Sequence, residues 1–234
     1  AASLEFVRES RLLGTGGGLR HAASTLAPTE PFAVMNADIV FRPDLQGALA
    51  LHRRLGAIAT MIVRPDPAAD RFGAVELSRA TGRVERLLGD TRPGAVAPLE
   101  KFMFTGVHIL SPEALADLPS EGCIIQNTYR PWIRRGAVVA GFVDESPWRD
   151  LGTLHAYLEA NLDFANGTLT WPGISPERGS LGSPTRHAAR SVVGDRVAFS
   201  EDALISDSVI WPDTPVSGAH KRAILTPRGV VSVD

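Results

Sequence analysis

The chain of 234 residues is long enough for one ample domain, or for one domain with a small appendage. Its apolar fraction of 44% and charged fraction of 21% are those of an ordinary globular fold, and a net charge of −2 offers no broad basic surface, which sets nucleic acid aside as a partner. The single cysteine, Cys123, excludes an internal disulfide and fits a reducing cytoplasm; no apolar run is long enough for a membrane span, and no leader pattern opens the chain.

Leu4 to Val7 reads as the end of a strand. Leu13-Gly14-Thr15-Gly16-Gly17-Gly18-Leu19 then predicts a glycine-rich loop opening into a helix. Glycine lets backbone N–H groups approach a ligand, and a helix N-terminus favours anions. The same residues also suit a plain strand-to-helix turn. Phe32-Ala33-Val34-Met35 predicts a short buried strand that breaks off at Asn36-Ala37-Asp38. A carboxylate where a strand leaves an α/β sheet is a natural magnesium anchor, although Asn36 and Asp38 could equally shape a turn.

Pro43-Asp44 starts a helix with Leu45, Ala48, Leu49, His52 and Leu55 on one face, and Ala57 to Val63 reads as a buried strand. Phe72 to Leu77 and Arg83 to Leu87 are strands of a hairpin about Ala80-Thr81-Gly82. Lys101 to Leu110 is a further strand; Ser111 and Pro112 then open a helix, as cap and first residue. Ile124 to Arg135 predicts a helix, Val138 to Val143 a strand, and Leu154 to Leu162 a helix. Between the last two lies Trp148-Arg149-Asp150-Leu151-Gly152-Thr153, where Asp150 suits a helix cap or an ion pair with Arg149 as well as a metal. His21, His52, His108 and His155 lack ligand spacing and suit packing or surface roles, and Cys123 suits a structural thiol.

Thr168 to Arg190 is rich in Pro, Gly and Ser and reads as a linker. Beyond it, apolar residues recur every six positions, as in Val193, Phe199, Ile205 and Trp211. That period predicts a short hexapeptide β-helix with Trp211 in its core. So short a solenoid should lean on the main domain or on a second subunit.

In this order the pieces resemble the sugar-1-phosphate nucleotidylyltransferases, particularly the mannose-1-phosphate guanylyltransferase-like members. Residues 13–19 resemble that family's Leu-Gly-Thr-Ala-Gly-Ala-Leu loop, Asn36-Ala37-Asp38 its Asn-Gly-Asp, and residues 148–153 its Trp-x-Asp-Ile-Gly-Thr. Phe104-Thr105-Gly106-Val107 is similar to a strand and glycine beside the sugar. The resemblance implies an α/β fold: a Rossmann-like mixed sheet flanked by helices over residues 1–167, a linker over 168–190 and a left-handed β-helix over 191–234. It implies transfer of a nucleotide from an NTP to a sugar-1-phosphate with release of pyrophosphate, similarity leaning towards GTP and mannose-1-phosphate. It further implies Mg²⁺ held by Asp38 and Asp150 as the catalytic pair, nucleotide contacts at Gly14, Gly16 and Gly17, and sugar contacts at Gly73 and Gly106. A cytoplasmic enzyme that self-associates through its tail is the corresponding expectation.

Two departures accompany the resemblance. The family's opening glycine- and arginine-rich loop and Pro-Lys-Pro segment have no counterpart, so the chain is expected to be a fragment, poorly soluble or inactive alone. Where relatives carry Glu-Lys-Pro, this chain reads Leu88-Gly89-Asp90-Thr91. A non-catalytic, nucleotide-sugar-sensing relative is the second expectation. A hexapeptide acyltransferase, with His220 as its candidate base, is a third and more remote one.

Overall fold

The computed structural model describes residues 4–67, 69–170 and 187–234. These divide into two compact units: residues up to Ala37 with Arg42–Ser146, and Asp38–Phe41 with Pro147 onward. No helix among the described residues is long and apolar enough to cross a membrane. Most of the predicted linker, residues 171–186, lies outside the described residues.

In the first unit, helix α1 (Gly14–Leu26) precedes strand β1 (Phe32–Met35). The glycine run lies inside the first turns of α1, where a loop was expected. Glycine costs roughly 1 kcal/mol in a helix relative to alanine, and here close packing offsets it. Gly16 N donates to Gly122 O at 2.8 Å and Gly122 N to Leu13 O at 2.7 Å, drawing the helix start onto residues 119–122.

Strand β2 (Ile39–Phe41) belongs to the second unit and is followed by helix α2 (Leu45–Leu55). Asp44 caps α2 by accepting from Gly47 N at 2.9 Å, and Gly56, at φ +57°, ends it. Strand β3 (Ala59–Arg64) is almost wholly buried. A single turn, α3 (Ala69–Phe72), takes the place expected for the start of a strand, and β4 (Val75–Ser78) and β5 (Arg83–Leu87) form the predicted hairpin. A two-residue strand, β6 (Asp90–Thr91), pairs with β5. The long strand β7 (Glu100–Leu110) and strand β8 (Val139–Val143) complete a mixed sheet ordered β1-β7-β3-β8-β5-β4. Among the described residues, β3 with β8 is its one parallel pair. Among the described residues β1 pairs with β7 alone, at the end of the strand order, and its exposure alternates where its apolar run suggested a buried strand.

Register along β7 shifts between Met61↔His108 and Val63↔Phe104. The shift is a bulge at Thr105-Gly106: Gly106 adopts φ +84°, and Thr105 Oγ1 donates to Ile62 O at 2.8 Å. Ser111 does not cap the following turn, a 3₁₀ helix over Pro112–Asp117. Its hydroxyl donates instead to Ala57 O at 2.9 Å, and His52 Nε2 approaches it at 3.0 Å. The helix expected over 124–135 contains a π-helical turn (Ile125–Tyr129) before α4 (Arg130–Arg134). Pro131 lacks an N–H and its ring would crowd the carbonyl four residues back. The wider turn ahead of it, with Arg130 N bonded to Ile125 O, relieves that clash.

Asp144 ties this unit together at the ends of β3 and β8. It is buried, its own N–H reaches Val63 O, and its carboxylate accepts from Asp44 N at 2.7 Å and Ser146 N at 2.8 Å. Desolvation raises its pKa, but the hydrogen bonds from Ser146 and Asp44 and the nearby Arg64 outweigh it and hold the carboxyl below its usual range. A depressed folded pKa gives stability that is present above the unfolded value of about 3.9 and lost as pH falls through the folded one. Asp144→Asn should therefore cost about 1–3 kcal/mol at neutral pH and flatten the acid limb of a stability profile. An acid limb unchanged in this variant would remove Asp144 from that role.

In the second unit, β9 (Trp148–Asp150) pairs antiparallel with β2, and α5 (Leu154–Ala165) follows, capped by Thr153. Short parallel ladders form the tail. β10 (Ala188–Ala189), β13 (Leu204–Ser206) and β16 (Ala219–Lys221) make one. β11 (Val192–Val193), β14 (Val209–Ile210) and β17 (Ala223–Thr226) make another, and β12 (Ala198–Phe199) and β15 (Pro215–Val216) a third. β18 (Gly229–Ser232) turns back antiparallel onto β17.

Stacked residues are 17 apart at the Arg190–Asp207 and Arg196–Asp213 ion pairs, and 15 apart between Ser208 and Ala223. A strict six-residue period would need eighteen. The slip moves the inward position from Trp211 to Ile210, so Trp211 is not core: it is 46% exposed, and its indole N–H donates to Tyr157 Oη. Gly194 lies so close to the next coil that a Cβ there would stand 2.4 Å from Pro212 N. Because backbone cannot swing aside, Gly194→Ala should destabilise the tail by about 1–3 kcal/mol, read as a lowered melting temperature.

Candidate metal-binding carboxylate pair

Residues Asp38 and Asp150, far apart in sequence, are brought together by the β2–β9 ribbon, in which Ile39 faces Asp150. The ribbon is a sheet of its own, and Asp38 lies between the end of β1 and the start of β2. Two backbone N–H donors set the corner: Leu151 N donates to the main-chain Asp38 O at 2.7 Å, and Gly152 N to the side-chain Asp150 Oδ1 at 3.2 Å.

Gly152 shows how closely the acids converge. A Cβ built there would have Asp150 Oδ1 and Asp38 Oδ2 both at 3.2 Å and Asp150 Oδ2 at 3.8 Å. Chain neighbours aside, its three nearest atoms would all be carboxylate oxygens. The alternatives for Asp150 are taken by other residues: Thr153 caps α5, accepting from Ala156 N at 3.0 Å, and Arg149 ion-pairs with Asp163 at 3.3 Å. Two carboxylates thus converge beside one residue that carries no side chain. That arrangement suits a hard divalent cation with oxygen ligands. No group of three His, Cys, Asp or Glu residues suited to a metal occurs among the described residues.

The predicted glycines lie in the first unit, and neighbouring residues occupy the space beside each. A Cβ on Gly14 would stand 2.8 Å from Gly122 O, on Gly16 2.7 Å from Pro119 Cγ, and on Gly17 2.6 Å from Ser120 O. At Gly73 the space is held by Leu88, and at Gly106 by Asn36, whose own N–H donates to Gly106 O at 3.0 Å. His52 sits beside a cleft of about 450 Å³, but it is buried with Nδ1 2.9 Å from Thr60 Oγ1 and Nε2 engaged by Ser111. Burial, with Arg53 adding to it, pushes its pKa down, which suits a neutral structural histidine. Cys123 is exposed and is not a packing residue. Gly152 and Asp144 escaped sequence reasoning; the Gly-Thr that follows Asp150 was the available signal for the first.

Residues 2–167 match the family model described as nucleotidyl transferase. The chain belongs to the nucleotidyl transferase family. It is 26% identical over 221 residues to a mannose-1-phosphate guanylyltransferase of Mycobacterium tuberculosis, covering 92% of this chain and 58% of the relative. To a glucose-1-phosphate adenylyltransferase of Anaeromyxobacter dehalogenans it is 27% identical over 231 residues, covering 83% and 53%. The chain thus spans little more than half the length of these two curated relatives. Among solved structures it is similar to HddC from Yersinia pseudotuberculosis complexed with GMP-PN. Identity there is 20%, coverage 67% of this chain and 64% of that one, and the TM-score 0.48.

In this family member, Gly152 is the position at which an added side chain tests the carboxylate corner. Gly152→Ala would press a methyl group on both carboxylates and should weaken Mn²⁺ binding about tenfold, as disturbance around metal ligands commonly does. Titration followed by electron paramagnetic resonance reads this directly; an unchanged affinity would show that the space beside Gly152 is not the cation's.

Proposed function

We propose that this chain serves a sugar-1-phosphate nucleotidylyltransferase, in which a phosphate oxygen of the sugar-1-phosphate attacks the α-phosphorus of an NTP. The new P–O bond forms as the bond to the leaving pyrophosphate breaks, giving an NDP-sugar. No protein nucleophile is required, because such transfers depend on positioning and charge neutralisation. The convergence of Asp38 and Asp150 about Gly152 is the observation that carries this reading.

In it, Asp38 and Asp150 hold Mg²⁺, which when bound supplies charge neutralisation to the phosphates. The Leu151 N–H fixes the backbone of Asp38 and the Gly152 N–H the carboxylate of Asp150, and the absent side chain at 152 leaves room for phosphate oxygens. Gly14, Gly16 and Gly17 serve the nucleotide, and Gly73 and Gly106 the sugar, only through the backbone they shape. GTP with mannose-1-phosphate is the substrate pair we favour, supported by the guanylyltransferase relative; the adenylyltransferase relative makes ATP with glucose-1-phosphate the pair to test against it. Residues 191–234, after a linker over 168–190 whose last residues already hold the ladder strand β10, make a short left-handed β-helix in this reading, supported by the parallel ladders.

The test is pyrophosphate release by the full-length protein with four NTPs and a panel of sugar-1-phosphates. Turnover with one pair, abolished by EDTA and restored by Mg²⁺, is expected. Absence of release with every pair, or release indifferent to EDTA, would reject the reading and favour a nucleotide-sugar-sensing role.

A further inference from the structure

The ribbon that carries the carboxylate pair is very short. β2 and β9 share three residue pairs, Ile39↔Asp150, Val40↔Arg149 and Phe41↔Trp148. A two-stranded ribbon holds itself only marginally, and a slip of one residue in its register turns every side chain to the other face. At the end where the acids stand, Leu151 N–H closes the ribbon on Asp38 O. At the other end two chain segments lead into it. From Phe41 the chain reaches Asp44 after two residues, and it arrives at Trp148 from Ser146 through the single residue Pro147.

Both segments are held by one side chain. Asp144 Oδ2 accepts from Asp44 N at 2.7 Å and Asp144 Oδ1 from Ser146 N at 2.8 Å, so each oxygen holds one segment. Asp144 is itself fixed: it is 6% exposed, and its N–H donates to Val63 O at 2.8 Å near the end of β3. The held residues are secured in turn. Asp44 Oδ1 accepts from Gly47 N in the first turn of α2, and Arg64 Nη1 lies 3.5 Å from Ser146 O. A carboxylate is costly to bury unless its oxygens are hydrogen-bonded, and the bonds that offset the cost here come from the two segments that lead into the ribbon.

We infer that Asp144 is a positioning residue for the Asp38–Asp150 pair. By holding Asp44 and Ser146 on one buried carboxylate, it fixes the separation at which the two strands enter the ribbon, and so the register that sets the acids side by side. It acts through the backbone and contributes no ligand atom. The effect on cation affinity rests on the metal-binding role proposed for the pair; the effect on the ribbon stands without it. Asparagine at 144 keeps the volume and one acceptor oxygen but turns an amide N–H towards the other backbone N–H, which releases one segment. Alanine there releases both.

Val84→Ala, in the fully buried core of the same unit and away from both segments, controls for lost stability, and melting curves check that each variant keeps its fold. Hydrogen exchange of the Leu151 amide, read by NMR on the metal-free full chain, should quicken at least about tenfold more in Asp144→Asn than in Val84→Ala, and further in Asp144→Ala. Mn²⁺ affinity, read by electron paramagnetic resonance, should fall about tenfold in Asp144→Asn, as for residues that orient metal ligands, and hold in Val84→Ala. Leu151 exchange no faster than in the control would overturn the inference, as would an Mn²⁺ affinity unchanged while exchange quickens. Failure of the unaltered chain to bind Mn²⁺ would instead reject the metal-binding role, and the exchange comparison would then decide on Asp144 alone.

Discussion

Exchanging Asp38 and Asp150 together for Asn should lower nucleotidyl transfer by the full-length protein at least about 10³-fold, since metal ions supply several kcal/mol of charge stabilisation and about 1.4 kcal/mol is a factor of ten. Amide oxygens keep the shape of the corner but not its charge. Leu151 N and the ribbon pairing bind Asp38 O and the backbone, which the exchange leaves in place, so the melting temperature should move little. Relief of repulsion between two unpaired carboxylates should even raise it slightly. Mn²⁺ binding should fall with turnover. Loss of activity with retained cation binding would mean that the pair serves elsewhere in the reaction. Retained activity would remove the pair from catalysis.

The largest expected effect on stability lies at Trp132. It is fully buried in the core of the first unit, packs edge-on against Tyr129 at 5.0 Å between ring centres, and donates its indole N–H to Asp117 at 2.7 Å. Asp117 also takes Arg135, and together these partners hold its carboxyl below the usual range. Trp132→Ala should cost about 3–5 kcal/mol, through lost burial and the cavity left behind. That is a large part of the roughly 5–15 kcal/mol by which domains are stable. Trp132→Phe fills most of the volume but strands Asp117 of one donor, and should cost about 1–2 kcal/mol. Circular dichroism across a denaturant series separates the two. An alanine variant losing less than the phenylalanine one would show that the core closes over the gap.

Another buried aromatic contact belongs to the same core. His108 Nδ1 lies 2.5 Å from Tyr129 Oη, and burial depresses the histidine pKa to about 4 while raising that of the tyrosine. Both groups are neutral through the physiological range, as a dry, hydrogen-bonded interior requires.

Much of this protein was determined by local sequence. Asp44 with Gly47 starts a helix, Thr81-Gly82 turns a hairpin, and the Val-, Ile- and Met-rich run of β3 is buried, because capping, turn chemistry and hydrophobic burial act over a few residues. The motifs at 36–38 and 148–153 pointed to both acids only through the family resemblance, since locally Asp38 also suits a turn and Asp150 a cap or an ion pair. Tertiary structure alone decided the rest. The pairing of β2 with β9 is a contact across more than a hundred residues, and no local propensity specifies it. That contact brings Asp38 and Asp150 to one corner and makes the side-chain-free face of Gly152 matter. Close approach to residues 119–122 wound the glycine run into α1, and a coil shorter than three hexapeptides turned Trp211 outward. In each case the deciding term was the position of a distant backbone, which composition and periodicity do not carry.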